Sequence, residues 1–116
     1  MSLEVQHYRN GNIRSVMIMN EKGELHNTEG PAIQGWHENG QEEYRAYYVN
    51  DCIHNAEGPA AQNWHENGQE YYRAYHINDK ELTKEEWEKE INSVPIEWEG
   101  KTVNISRESA KALNLI

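Results

Sequence analysis

The chain of 116 residues carries 20 Asp and Glu against 11 Lys and Arg, a net charge of −9, so nucleic-acid phosphates and anionic membrane surfaces repel it. A mean hydropathy of −1.05, with no Phe but 4 Trp and 7 Tyr, argues against a thick apolar core; side chains with an apolar body and a polar tip suit a thin sheet that is wet on one side. The single cysteine, Cys52, excludes an intrachain disulfide and fits a reducing cytoplasm.

Residues 1–10 lack the apolar stretch of a signal peptide, and the longest apolar runs, 16–19 and 46–49, are too short to span a membrane. Residues 7–11 (HYRNG) stand where residues 36–40 (WHENG) stand, and residues 16–20 (VMIMN) stand where residues 46–50 (AYYVN) stand. Residues 21–25 fill a longer loop, so this segment reads as a degraded copy of the unit that follows.

That unit is plain from residue 26 onward. Residues 26–51 (HNTEGPAIQGWHENGQEEYRAYYVND) and 54–79 (HNAEGPAAQNWHENGQEYYRAYHIND) match at 20 of 26 positions, without a gap, at a period of 28. In each copy Gly-Pro opens a short strand, at 32–38 or 60–66. Asn-Gly then supplies a hairpin turn, read as a two-residue type I′ loop. A Tyr-rich strand follows, at 44–49 or 72–77, and Asn-Asp ends it with turn chemistry. A two-residue loop sets Glu38 opposite Gln41, His37 opposite Glu42 and Trp36 opposite Glu43. The next copy sets Glu66 opposite Gln69, His65 opposite Glu70 and Trp64 opposite Tyr71. The expected fold is mainly β: tandem hairpins forming one twisted antiparallel sheet of about six strands over residues 1–82. Degenerate terminal copies cap such stacks.

Beyond Leu82 the composition changes. Thr83 and Glu86 form a capping box, with Leu82 and Trp87 at the staple positions, so a helix is expected over 84–92; Pro95 blocks its continuation. Residues 94–98 and 101–105 alternate around Glu99-Gly100 as a hairpin that sets Ile96, Trp98 and Val103 on one face. Ser106 caps a last helix over 107–114, expected to bury Ala110 and Leu113. Residues 83–116 thus form a helix–hairpin–helix cap in the same domain, placed to shield an open sheet end.

The six histidines, His7, His26, His37, His54, His65 and His76, invite a metal or catalytic reading. Repeat equivalents in a stacked sheet lie two strands apart, about 9.5 Å, too far to share a zinc ion. His26 with Glu29, and His54 with Glu57, resemble a base and its orienter, but a duplicated local motif is more simply a turn device. Cys52 lacks a cationic neighbour that would activate it. Ser106 and Ser109 suit helix capping and a helix surface. No catalytic, cofactor or metal site is assigned.

Candidate interaction residues fall in two sets. The first is the aromatic pairs Trp36/Trp64, Tyr44/Tyr72 and Tyr47/Tyr75, since Tyr and Trp dominate binding hot spots. The second is Glu38, Glu42, Glu66 and Glu70 near the Asn-Gly turns, a row of carboxylates that could engage a basic groove.

The succession of Gly-Pro-Ala, Asn-Gly, Tyr-rich strand, Asn-Asp, His and again Gly-Pro-Ala over residues 5–82 resembles the MORN-variant repeats of small bacterial, phage and giant-virus proteins, some of them antitoxins. The resemblance implies stacked hairpins that serve as interaction surfaces. The unit departs from the shorter, Gly-rich classical MORN unit and lacks its Tyr-x-Gly signature. The expected function is a non-catalytic inhibitor, phage- or antitoxin-like, that docks on a basic, nucleic-acid-handling protein in the manner of an anti-CRISPR protein. It would work in the cytoplasm, the host's if viral, without direct nucleic-acid or membrane contact. A scaffold or self-assembling module, with homo-oligomers, is the alternative; a hydrolase using one His–Glu pair is a remoter one.

Overall fold

The computed structural model describes residues 1–115 and divides into two compact units, Met1–Leu82 and Thr83–Ile116. In the first, β1 (Ser2–His7), β2 (Ile13–Met19), β3 (Ile33–Trp36), β4 (Glu42–Ala46), β5 (Tyr48–Val49), β6 (Cys52–Ile53), β7 (Ala61–Trp64), β8 (Glu70–Ile77) and β9 (Lys80–Leu82) follow in chain order. Seven of them form one antiparallel sheet in the order β1-β2-β3-β4-β7-β8-β9, while β5 and β6 pair as a small hairpin of their own. The fold is therefore mainly β, as the hairpin periodicity predicts. Each of the two full copies contributes two sheet strands, then a short second hairpin across its Asn-Asp turn: β5–β6 in one copy, the end of β8 with β9 in the next.

The Asn-Gly turns are not the expected two-residue type I′ loops. At the Asn-Gly turns only the glycines take positive φ, 91° at Gly11, 88° at Gly40 and 89° at Gly68. His37 N–H donates to the Gln41 carbonyl at 2.8 Å, and Gly40 N–H to the His37 carbonyl at 2.9 Å. This is the longer loop with a glycine bulge. It moves the register: Trp36 faces Glu42 and Trp64 faces Glu70, with a bulge after Gly35 and after Asn63. The expected Trp36–Glu43, His37–Glu42 and Glu38–Gln41 pairings, and their counterparts at 64–71, are corrected accordingly. The cause is the asparagine side chain. Asn39 Oδ1 accepts the Gln41 N–H at 2.9 Å and Asn67 Oδ1 accepts the Gln69 N–H at 2.9 Å, an Asx bond that holds the asparagine out of the left-handed region.

The left-handed pair lies instead at the Asn-Asp turns. Asn50 and Asp51 have φ of 49° and 66°, and Asn78 and Asp79 have 47° and 74°. Val49 faces Cys52 and Ile77 faces Lys80, which are two-residue loops of the I′ kind built without glycine.

The first unit also shifts by one residue from the sequence alignment. His7 faces Ile13 across a bulge placed like those at Trp36 and Trp64, and Val5 faces Val16 as Gln34 faces Arg45. Val16 is thus the equivalent of Arg45, not of Ala46. The loop at residues 20–24 absorbs the difference.

The sheet is thin. Its buried side chains are Ala32, Ala60, Ala74 and Tyr75, and no large side chain among the described residues is fully buried. This agrees with the low hydropathy and the lack of Phe.

In the second unit α1 (Lys84–Asn92) carries the expected capping box between Thr83 and Glu86 and buries Trp87. Strands β10 (Ser93–Trp98) and β11 (Lys101–Ser106) pair with Ile96 opposite Val103. Helix α2 (Arg107–Ala112) is capped by Ser106 and buries Ala110. Leu113, expected inside, is 65% exposed: the helix stops at Ala112, and Asn114, with φ 58°, reverses the chain before position 113 completes the apolar face.

Candidate interaction surface

The repeat residues that look functional in the sequence mostly hold one unit to the next. Tyr8 Oη donates to the Trp36 carbonyl at 2.7 Å. One unit on, His37 Nε2 meets the Trp64 carbonyl at 2.9 Å. The carbonyl can only accept, so that nitrogen carries the proton. Asn39 Nδ2 donates to the Glu66 carbonyl at 3.0 Å, as Asn12 Nδ2 does to that of Glu38, also at 3.0 Å. Asparagine is required at position 39 because one end accepts within its own turn while the other donates to the neighbouring turn. Aspartate would set a carboxylate against a carbonyl.

A second set of latches closes the opposite ends. His26 Nδ1 accepts the Asn50 N–H at 3.0 Å, and His54 Nδ1 accepts the Asn78 N–H at 3.0 Å. Asp51 Oδ1 accepts the Leu25 N–H at 2.7 Å, and Asp79 Oδ1 the Ile53 N–H at 3.2 Å. Asn27 and Asn55 each bridge their own Gly-Pro loop, accepting from Glu29 N–H and Glu57 N–H at 3.0 Å. In both copies, then, the histidine of the His–Glu pair spends Nδ1 on a backbone donor. Among the described residues no group of three or more His, Cys, Asp or Glu side chains is placed to hold a metal ion, and no helix is long and apolar enough to cross a membrane.

The register distributes the candidate aromatics over two faces. Opposed residues share a face and neighbours along a strand alternate. Gln34 faces Arg45, which faces Gln62, which faces Arg73. Trp36, Trp64, Tyr47 and Tyr75 lie on the same side as that row, two positions away along their strands. Tyr44 and Tyr72, opposite Gly35 and Asn63, lie on the other side. Tyr75 is 8% exposed, Trp36, Trp64, Tyr44 and Tyr47 are half-buried, and Tyr72 is 47% exposed.

The four candidate carboxylates also divide. Glu42 accepts from Arg45 Nε at 2.8 Å and from Gln34 Nε2 at 2.7 Å. Glu70 accepts from Arg73 Nε at 2.6 Å and Nη2 at 2.8 Å. The Arg73 hydrogen bond holds the Glu70 carboxyl below its usual range, and the Glu70 partner raises the Arg73 guanidinium further above its own. Glu42 likewise raises Arg45, whose guanidinium lies 5.1 Å from the centre of the Trp64 ring, a cation–π contact. Glu38 and Glu66 stand exposed at the turn tips, and their backbone carbonyls, not their carboxylates, join the latches.

Two features carry no sequence signal in the aromatic pattern. The Tyr44 ring lies across Gly35 so closely that a Cβ there would fall 2.3 Å from Tyr44 Cε1; burial, the largest cause, and the neighbouring Glu43 raise the phenol above its usual range. At the far edge His65 and Tyr71 stack with ring centroids 4.3 Å apart, where the previous copy has His37 within 4.0 Å of Glu43. Comparing the two copies position by position, 43 against 71 and 35 against 63, is the signal that finds both.

Compared with known proteins, the chain matches no protein family, no curated protein and no solved structure.

Proposed function

We propose that this chain is a non-catalytic protein-binding protein, an inhibitor of the phage or antitoxin kind that docks on a basic, nucleic-acid-handling protein and blocks it, as anti-CRISPR proteins do. The observation that carries this reading is the repeated pair of exposed tip carboxylates, Glu38 and Glu66. They occupy the same place in successive units, about 9.5 Å apart by strand spacing. Most of the net negative charge lies on the repeat segment: residues 1–82 hold 13 Asp and Glu against 6 Lys and Arg, while residues 83–116 hold 7 against 5. Arg45 and Arg73 are occupied by Glu42 and Glu70, and Arg9 takes the equivalent tip place in the first copy, so the anionic row is the pair Glu38 and Glu66. Such a row imitates a phosphate backbone and speeds encounter with a basic groove. The likeness to MORN-variant repeats adds to this reading.

The test is capture of partners from a host lysate by the full chain, followed by binding measurements on the purified partner across a salt series. Affinity should fall steeply with salt, and E38Q/E66Q should weaken binding about tenfold or more while E42Q, whose carboxylate is already paired, changes it far less. Binding that ignores both salt and the tip charges sinks the reading.

A further inference from the structure

The sheet ends in two edges that are the unused halves of its own repeat interface, and the geometry points to a second copy of this chain as their occupant, added head to tail with β1 of one molecule on β8 of the other.

Among the described residues, strand β1 has a hydrogen-bonded neighbour only in β2, and β8 has β7 on one side and β9 on the other over Tyr75–Ile77 alone. Residues 70–74 of β8 therefore have no paired strand on that side among the described residues. The bulges at His7, Trp36 and Trp64 make β1, β3 and β7 equivalent strands, and β2, β4 and β8 follow suit. Inside the chain the second strand of one unit takes up the first strand of the next, with Tyr44 opposite Asn63, Arg45 opposite Gln62 and Ala46 opposite Ala61. The same rule sets Tyr72 opposite Gln6, Arg73 opposite Val5 and Ala74 opposite Glu4 of a second molecule. Directions agree, because the strands alternate and β1 runs antiparallel to β8.

The backbone groups needed for that junction point outward. Tyr47 N–H donates to the Ala60 carbonyl, and Ile18 N–H to the Ala32 carbonyl. Strand alternation then aims Arg45 at β7 and Gln34 at β2, so their equivalents Arg73 and Val5 aim at the two free edges. The latch donors stand ready too. His65 and Asn67 occupy the places of His37 and Asn39, which bond the next unit's carbonyls at 2.9 and 3.0 Å. Against a second molecule they meet the carbonyls of His7 and Arg9.

Surface and charge favour the same occupant. Leu3 and Val5 on β1 are 65% and 39% exposed, and Tyr71 and Tyr72 on β8 are 55% and 47% exposed. Neither stretch carries a proline to blunt it, nor does β1 carry a lysine. Arg9 stands at the position of Glu38 and Glu66, so the junction brings a cation beside Glu66, as the first internal junction brings Arg9 beside Glu38. This contact joins unlike surfaces and leaves a fresh pair of edges after each addition, so it builds open chains instead of closed dimers.

Light scattering on the full wild-type chain over a concentration series tests this. The mass should rise from the monomer's 13.6 kDa without levelling at a dimer. V5P and R73P each remove one outward N–H, a change that edge strands accommodate. Each alone should raise the dissociation constant about tenfold or more. Mixed, they should give one heterodimer and nothing larger, because each retains the edge the other lacks. V5K, which sets a lysine opposite Arg73, should weaken association without altering any backbone donor, and it serves if a proline variant loses its native circular dichroism. A wild-type chain that stays monomeric throughout overturns the inference. So do folded variants that associate like wild type, or a mixture of two folded variants that remains monomeric.

Discussion

Residues 26–53 and 54–81 are near copies, yet the same side chains have different work in each. His37 and Asn39 are bonded to the unit that follows them, while His65 and Asn67, one period later, lie in the turn between β7 and β8, which among the described residues only the short β9 follows in the sheet. Where His37 has Glu43 beside it, His65 stacks on Tyr71. Where Tyr44 covers Gly35, Tyr72 faces Asn63 and stands open. The lesson is that a repeat residue's energetic weight depends on its position in the stack as much as on its identity.

The comparison can be broken or sharpened by substitution, read by chemical denaturation. The largest effect is expected at the buried alanines. Ala32→Leu and Ala60→Leu, at 1% and 0% exposure, should each cost about 2–3 kcal/mol by overpacking, and equally, since both copies close there in the same way; unequal losses would show that the two interiors are not equivalent. Next comes Asn39→Asp, which sets a carboxylate against the Glu66 carbonyl and should cost about 1–3 kcal/mol. Asn67→Asp keeps its turn acceptor and should cost a few tenths at most, so similar losses at the two sites would abolish the distinction between inner and outer copy. Gly35→Asn should cost about 1 kcal/mol and swing Tyr44 into solvent, making the first copy resemble the second; the readout is tyrosine accessibility to a collisional quencher, and an unchanged Tyr44 would refute the packing argument.

The smallest effect is electrostatic. Because Arg73 depresses the Glu70 carboxyl, its contribution is complete above the ordinary carboxyl range and is lost as pH falls through the lower folded value. Glu70→Gln should therefore lower stability near neutrality by less than about 1 kcal/mol, as for other exposed pairs, and flatten the acid limb of the stability profile. A variant whose acid limb is as steep as that of wild type would remove the pair from the account.

The hairpin units, the helix cap at Thr83 and the terminal hairpin are legible in the sequence because each rests on local chemistry: a period of 28, a capping box, alternating apolar residues. The register at Asn39 and Asn67 is not, because two loop geometries fit Asn-Gly, and the choice is made by an amide that must serve its own turn and the next one. The division of the aromatics between faces follows from that register, so it shares the same blind spot. The exposure of Leu113 is not legible for a different reason: whether a short helix completes its last turn depends on where the chain reverses, and Asn114 gives no strong advance sign of that. Of the four carboxylates, the sequence marks a cluster but not the pairing that separates Glu42 and Glu70 from Glu38 and Glu66, although an Arg three residues on was there to be seen in both.

Each latch ties a unit only to its immediate neighbour, so stability grows along one dimension as a sum of unit and junction contributions. The coding sequence can then lengthen or shorten by whole units without redesigning the interior, provided the asparagine, histidine and aspartate keep their offsets from the two turns. Slack in length belongs in the connecting loop, where residues 20–24 already take it up.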